Sequence, residues 1–195
     1  GRLRPFDTHR DGTLLGEGAA LMLMETRAEA ERRGATILAE VLGWGSTFDG
    51  GAAFQFKPEA AGASRAMKLA LDDAGVTAAD IDFVAASANG SVEGDRMEAT
   101  AIRQVFGARA AELPVVAYKS YWGECYGSGG AMQVAAALAD MEDDVLSATC
   151  GFEESDGVLR VTKQPVTGAR PRTVLINAFG YTGHNSSLIL RKFSS

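Results

Sequence analysis

Three features of the sequence predict a layered α/β fold with a mostly parallel sheet. After residue 58, short apolar runs bounded by glycine or proline alternate with longer Ala-rich stretches that carry apolar side chains at helical spacing. No short repeat, low-complexity tract or interdomain linker breaks that alternation. The composition is that of a chain able to bury a core: 195 residues, 46% hydrophobic, 23% charged, with a mean hydropathy of −0.02.

The elements follow in order. Gly16-Glu17-Gly18 is a glycine turn leading into the apolar run Ala19 to Met24, predicted as a buried strand. Thr26 to Arg33 is rich in Ala, Glu and Arg and predicts a short solvated helix stopped by Gly34. Ile37 to Leu42 is a second strand, expected to end at Gly43-Trp44-Gly45. Ser46 to Pro58 is a loop bearing Phe48, Phe54 and Phe56. Glu59 to Ala74 places Ala63, Ala66, Met67, Ala70 and Leu71 on one helical stripe, closed by Gly75. Thr77 and Asp80 suit a capped turn before a strand at Ile81 to Ala86. A helix at Gly94 to Phe106, a strand at Val115 to Ala117 and an Ala-rich helix at Ser128 to Asp140 come next. Val145 to Thr149 is expected as a strand and residues 151–171 as a polar connection. Thr173 to Ala178 and Ser187 to Arg191 close the sheet. Such alternation stacks a sheet between helical layers.

Charge and rare residues limit the chemistry. The net charge is −6, from 19 basic and 25 acidic side chains, which argues against a nucleic-acid partner. No apolar run approaches the roughly 20 residues of a membrane span, and no signal-peptide pattern opens the chain. Cys125 and Cys150 form neither a disulfide framework nor a four-thiolate zinc site; they suit a reducing, cytoplasmic setting and are expected as small buried hydrophobes. The only histidines are His9, expected at the surface, and His184. The chain opens on Gly1-Arg2-Leu3-Arg4-Pro5-Phe6-Asp7 with no methionine, which predicts a cut within something larger.

Four local patterns occur in one order. They are Arg4-Pro5-Phe6-Asp7 with Arg10-Asp11-Gly12 and Gly16-Glu17-Gly18-Ala19; Ser87-Ala88-Asn89-Gly90-Ser91-Val92-Glu93-Gly94-Asp95 with Glu98; Lys119-Ser120-Tyr121-Trp122-Gly123-Glu124 with Gly127-Ser128-Gly129-Gly130-Ala131; and Asn177-Ala178-Phe179-Gly180-Tyr181-Thr182-Gly183-His184-Asn185. Together, over residues 2–192, they resemble the C-terminal half of a β-ketoacyl-acyl-carrier-protein synthase of the thiolase superfamily. The resemblance implies two pseudo-symmetric halves, each with its own five-stranded sheet. Residues 1–58 are then expected to end the N-terminal half, with two strands, a short helix and a loop. Residues 59–195 are expected to form the C-terminal half. Without their neighbours the two early strands are expected to expose an apolar edge.

In such a synthase a cysteine of the N-terminal half takes the acyl chain, and two histidines bind the thioester carbonyl and assist decarboxylation. The resemblance places Ser87 at the first histidine position and Glu124 at the second. A hydroxyl carries no positive charge, and a carboxylate repels a malonyl group and its enolate, so no intact catalytic set is expected. Lys119 and Glu98 fall on the family's lysine and its carboxylate partner, expected as a buried ion pair, with Asp95 a nearby structural acid. Phe179, Gly180, Tyr181, Thr182, Gly183 and His184 fall on the substrate-gating loop, with Tyr181 as the aromatic gate and Thr182 stiffening a glycine position. His184 is expected as a packed or hydrogen-bonded side chain. Tyr121 and Trp122 replace smaller residues and fill space beside the missing imidazole, while Gly127-Ser128-Gly129-Gly130 allows close helix–strand packing in preference to cradling a phosphate.

Loss of both histidines on a retained scaffold resembles the chain-length factor of type II polyketide synthases. The expected function is therefore a degenerate partner subunit in acyl-chain elongation. Its expected partners are an active ketosynthase subunit, an acyl carrier protein and the N-terminal half of its own fold, with no metal or cofactor. Two alternatives stand beside it. One is an acyltransferase of altered chemistry that uses Glu124 as general base and a nucleophile from the N-terminal half. The other is a split module for scaffolding or carrier-protein docking.

Overall fold

The computed structural model describes residues 2–50, 55–155 and 157–194; Phe54 lies outside them. One mixed sheet organises the molecule. Its strands run in the order β1 (Ala39–Phe48), β8 (His184–Lys192), β7 (Thr173–Phe179), β2 (Phe83–Ala85), β3 (Pro114–Val116), β5 (Arg160–Val161). The pairs β7–β2, β2–β3 and β3–β5 are parallel, as the alternation predicts. The closing hairpin β7–β8 and the edge pair β1–β8 are antiparallel.

Helices cover both faces. On one side lie α2 (Ala61–Ala74) and α3 (Val92–Phe106), whose Met67, Ala70, Met97 and Ile102 pack with Val84, Leu175 and Ile189. On the other lies α5 (Gly129–Glu142), where Ala137 and Met141 pack with Phe83, Val116, Val174 and Ile176. The helix ends follow local chemistry. Ser91 caps α3 by accepting from the Gly94 N–H at 3.1 Å, and Gly75, in the left-handed region at φ +62°, closes α2.

Several expectations need correction. The apolar run 19–24 is not a strand; it is irregular and largely exposed, and no strand among the described residues pairs with its backbone. The expected helix is shorter, α1 at Arg27–Arg32, capped by Thr26. The second expected strand starts at Ala39 and runs to Phe48, straight through Gly43 and Gly45. Those glycines are not breakers but points of close approach. A Cβ on Gly43 would lie 2.3 Å from Ala74 N, and one on Gly45 would lie 2.1 Å from Ala66 O, so α2 rests directly on the strand backbone. That strand pairs with β8, so a division at residue 58 would separate β1 from the sheet it edges. The strand at Val145 is reduced to β4 (Val145–Leu146). It pairs with β6 (Val166–Thr167) outside the main sheet.

Candidate functional site

The site forms where loops leave the carboxyl ends of parallel strands, the place open α/β sheets use for ligands. The turn after β2 carries Ser87 and Asn89. The turn after β3 carries α4 (Lys119–Trp122), Gly123 and Glu124. The end of β7 contributes Asn177 and Phe179. All four sequence patterns converge here.

Lys119 does not pair with Glu98. Its ammonium lies 2.7 Å from Glu124 Oε2, and both side chains are buried. The turn makes this contact short-range, because Gly123 at φ +86° reverses the chain between them. Glu124 is fully engaged: Oε2 also accepts from Asn89 Nδ2 at 2.8 Å, and Oε1 accepts from the Tyr126 N–H at 2.9 Å. Asn89 thus ties the Ser87 turn to the Glu124 turn.

Ser87 is occupied as well. Its Oγ accepts from the Phe179 N–H at 2.9 Å, and its own N–H donates to Glu98 Oε1 at 2.9 Å. Glu98 Oε1 takes a second bond from Asn177 Nδ2 at 2.9 Å, while Oε2 is buried without a partner. Burial pushes the Glu98 carboxyl up to about 7 against the donors from Ser87 and Asn177, with the nearby Asp95 charge adding to the rise. Asp95 accepts from the N–H groups of Phe6, Asn89 and Gly90 at 2.8, 3.1 and 3.2 Å, yet burial still pushes it up to about 6.

The N-terminal segment is part of this site. Asp7, fully buried, accepts from the N–H groups of His9, Glu153 and Glu154 at 2.8, 2.7 and 2.9 Å. Further on, Glu124 N–H donates to Leu14 O and Gly16 N–H to Glu124 O, a parallel bridge centred on Leu15. Gly16 is required here, since a Cβ would stand 1.7 Å from Trp122 O.

Residues 180–183, expected as a gating loop, form the tight turn of the β7–β8 hairpin, with Gly180 N–H donating to His184 O at 2.8 Å. Tyr181 meets the Tyr126 ring edge-on at 6.4 Å, while His184 contacts Thr182 and the Phe48 ring. Gly183, at φ +93°, leaves room for Asp49, whose Oδ2 accepts from Asn185 Nδ2 at 2.8 Å. Trp122 stacks on Tyr118; the glycine run does not show the close packing expected of it, since a Cβ on Gly130 would lie an ordinary 3.8 Å from Ala178 Cβ and one on Gly127 would meet open space. Cys125 is partly buried, but Cys150 is exposed, contrary to expectation. His9 lies at the surface beside Asp7 and Glu154. Among the described residues, no group of His, Cys, Asp and Glu is arranged to hold a metal, and no helix is long and apolar enough to cross a membrane.

Sequence reasoning missed Asp7, Asn89, Asn177, Tyr126 and Asp49 as site residues. The first has a local signal, since Asp7 two residues before the His9 N–H is an Asx-turn pattern. For the others the partner is distant in sequence or is a backbone N–H, which no local pattern specifies.

Residues 38–153 match the family model of the β-ketoacyl synthase C-terminal domain. Nodulation protein E of Rhizobium sp. (strain N33) is 35% identical over 97% of this chain and 47% of its own length. The 3-oxoacyl-[acyl-carrier-protein] synthase 2 of Coxiella burnetii is 34% identical over 97% of this chain and 46% of its own. The chain therefore spans about half the length of the curated relatives it matches. Among solved structures, the ishigamide ketosynthase/chain length factor superposes with a TM-score of 0.92 at 35% identity, covering 100% of this chain and 48% of that one.

Proposed function

We propose, on the premise that this chain belongs to the β-ketoacyl synthase family and carries its C-terminal domain, that it is a partner subunit whose own condensing site is inactive. One observation carries the reading: at the position expected for the second histidine stands Glu124, its carboxylate 2.7 Å from the site lysine. Decarboxylative condensation needs neutral or cationic donors aimed at a carboxylate and at a developing oxyanion. Here the site's one buried ammonium is neutralised internally, and the Ser87 hydroxyl is committed to the Phe179 backbone. The similarity to a ketosynthase/chain length factor supports a role in shaping acyl-chain elongation beside an active ketosynthase subunit. The carrier protein in the names of its relatives supports an acyl-carrier-bound substrate.

Support for a first half of the same fold comes from the apolar surface. Leu21, Leu23, Met24, Trp44 and Phe48 are all exposed large apolar side chains, of the kind that a covering surface buries. In this reading residues 19–24 gain their strand partners in that half.

Two results test the proposal. In a complex whose only complete site is the one holding Ser87 and Glu124, malonyl and acyl groups should not condense. Robust turnover from that site, abolished by Glu124→Gln, overturns it in favour of Glu124 as general base. Nothing in the geometry favours that alternative, since a base needs a free acceptor and both Glu124 oxygens are taken by donors.

A further inference from the structure

Asp95 and Glu98 lie three residues apart on the buried side of α3, at 0% and 1% exposure. Their surroundings differ. Asp95 is surrounded by donors: the N–H groups of Phe6, Asn89 and Gly90, with Arg10 Nε 3.9 Å from Oδ2. Glu98 spends only Oε1, on Ser87 N–H and Asn177 Nδ2, and leaves Oε2 buried and bare. Beside them is a small cleft of about 10 Å³, room for one water molecule, lined by Phe56, Ser87, Asp95, Met97, Glu98 and Phe179.

The charges acting on the pair are few. Glu98 feels Asp95 from its own helix and Lys119 from α4, and Lys119 is already committed to Glu124. Arg10, from the N-terminal segment, acts on Asp95. The β7 neighbour of Glu98, Asn177, is neutral. A second full negative charge in this cleft therefore lacks a free cation, and a carboxylate oxygen with no donor is the costlier form.

We propose that Glu98 holds a proton on Oε2 at neutral pH and donates it to one water held in this cleft, so that the Asp95–Glu98 pair carries a single negative charge. Loss of that proton loosens residues 2–16, the segment that Asp95 holds through Phe6. The segment responds first because it contains no helix or regular strand and its Phe6 N–H donates directly to Asp95, while Phe6 in the core and Asp7 against Glu153 and Glu154 anchor the rest. The inference stands whether or not the site condenses acyl groups. Its direction follows from linkage. A carboxyl raised to about 7 in the fold costs stability as pH climbs through the ordinary glutamate range of 4.5, and the loss levels off once pH passes 7.

Two measurements on the full chain test it. Hydrogen exchange, corrected for intrinsic pH dependence, should show protection of the Phe6, Asn89 and Gly90 amides falling about tenfold between about pH 6 and 8. Glu98→Gln, whose amide oxygen keeps both accepted bonds, should remove that dependence. Infrared spectra of wild-type protein labelled with carbon-13 glutamate, which need no variant, should show a protonated-carboxyl band at pH 6 that disappears by pH 8. Absence of that band at pH 6, or an unchanged exchange profile in Glu98→Gln, overturns the proposal.

Discussion

Lys119 Nζ and Glu124 Oε2 stand 2.7 Å apart, with both side chains more than nine-tenths buried. The pair is also tied to Asn89 and to the Tyr126 backbone, so removing one member strands the other. Breaking a buried pair from one side costs about 3–5 kcal/mol, because an uncompensated charge remains. Glu124→Ala should therefore lower the unfolding free energy by about that amount, and Glu124→Gln by less, since the amide oxygen still accepts from Lys119. Denaturant titration of the two variants measures the difference. Equal, negligible losses would show that the pair is not what secures this turn.

Asp7 should govern acid stability. Burial works to raise its carboxyl, but the N–H groups of Glu154, Glu153 and His9 outweigh it and hold the group below its ordinary 3.8. A depressed carboxylate contributes stability that is complete above the ordinary value and lost as pH falls through the lower folded value. The melting temperature should therefore drop below about pH 4, and Asp7→Asn should flatten that limb while lowering stability at neutral pH. Thermal unfolding across the acid range reads both effects.

The part of the fold that was legible is the part that is periodic. The stripes of α2 and α3 and the apolar runs of β2 and β7 specify themselves, because their burial repeats along the chain. The two-residue strands β5 and β6 carry no such pattern; they exist because β3 and β4 present edges to them. Gly43 and Gly45 misled for a physical reason: the missing Cβ serves α2 rather than a turn, and sequence does not distinguish the two uses. In the site, Ser87 and Glu124 were legible by position, but the partner of Lys119 was not. The expected partner, Glu98, is spent on Ser87 and Asn177, and the Glu124 carboxylate takes the lysine.

Gly16→Ala should uncouple the N-terminal segment. The added methyl would sit 1.7 Å from Trp122 O and 3.1 Å from Cys125 Sγ, and a carbonyl of the backbone cannot swing aside as a side-chain tip can. Overpacking of this kind costs about 1–3 kcal/mol. The Gly16 and Glu124 amides, which donate to Glu124 O and Leu14 O, should exchange faster in the variant. Unchanged exchange would mean that the bridge at Leu15 does not hold the segment on the site.

The apolar surface gives the last prediction, which rests on the proposed first half. Leu21 is 99% exposed and Trp44 63%, and Leu23, Met24 and Phe48 are exposed as well. Each such side chain, fully buried, returns about 1.5–3 kcal/mol, so several together supply a strong drive toward any surface that covers them. Residues 1–195 produced alone should self-associate or bind an apolar-surface dye, and Leu21→Ser with Leu23→Ser should reduce both without lowering the melting temperature. Co-production with the first half of a family member should instead give a defined complex, in which the amides of residues 19–24 become protected from exchange. A monodisperse, cooperatively folded monomer of residues 1–195, with residues 19–24 unprotected in either sample, would leave that surface without the partner assigned to it.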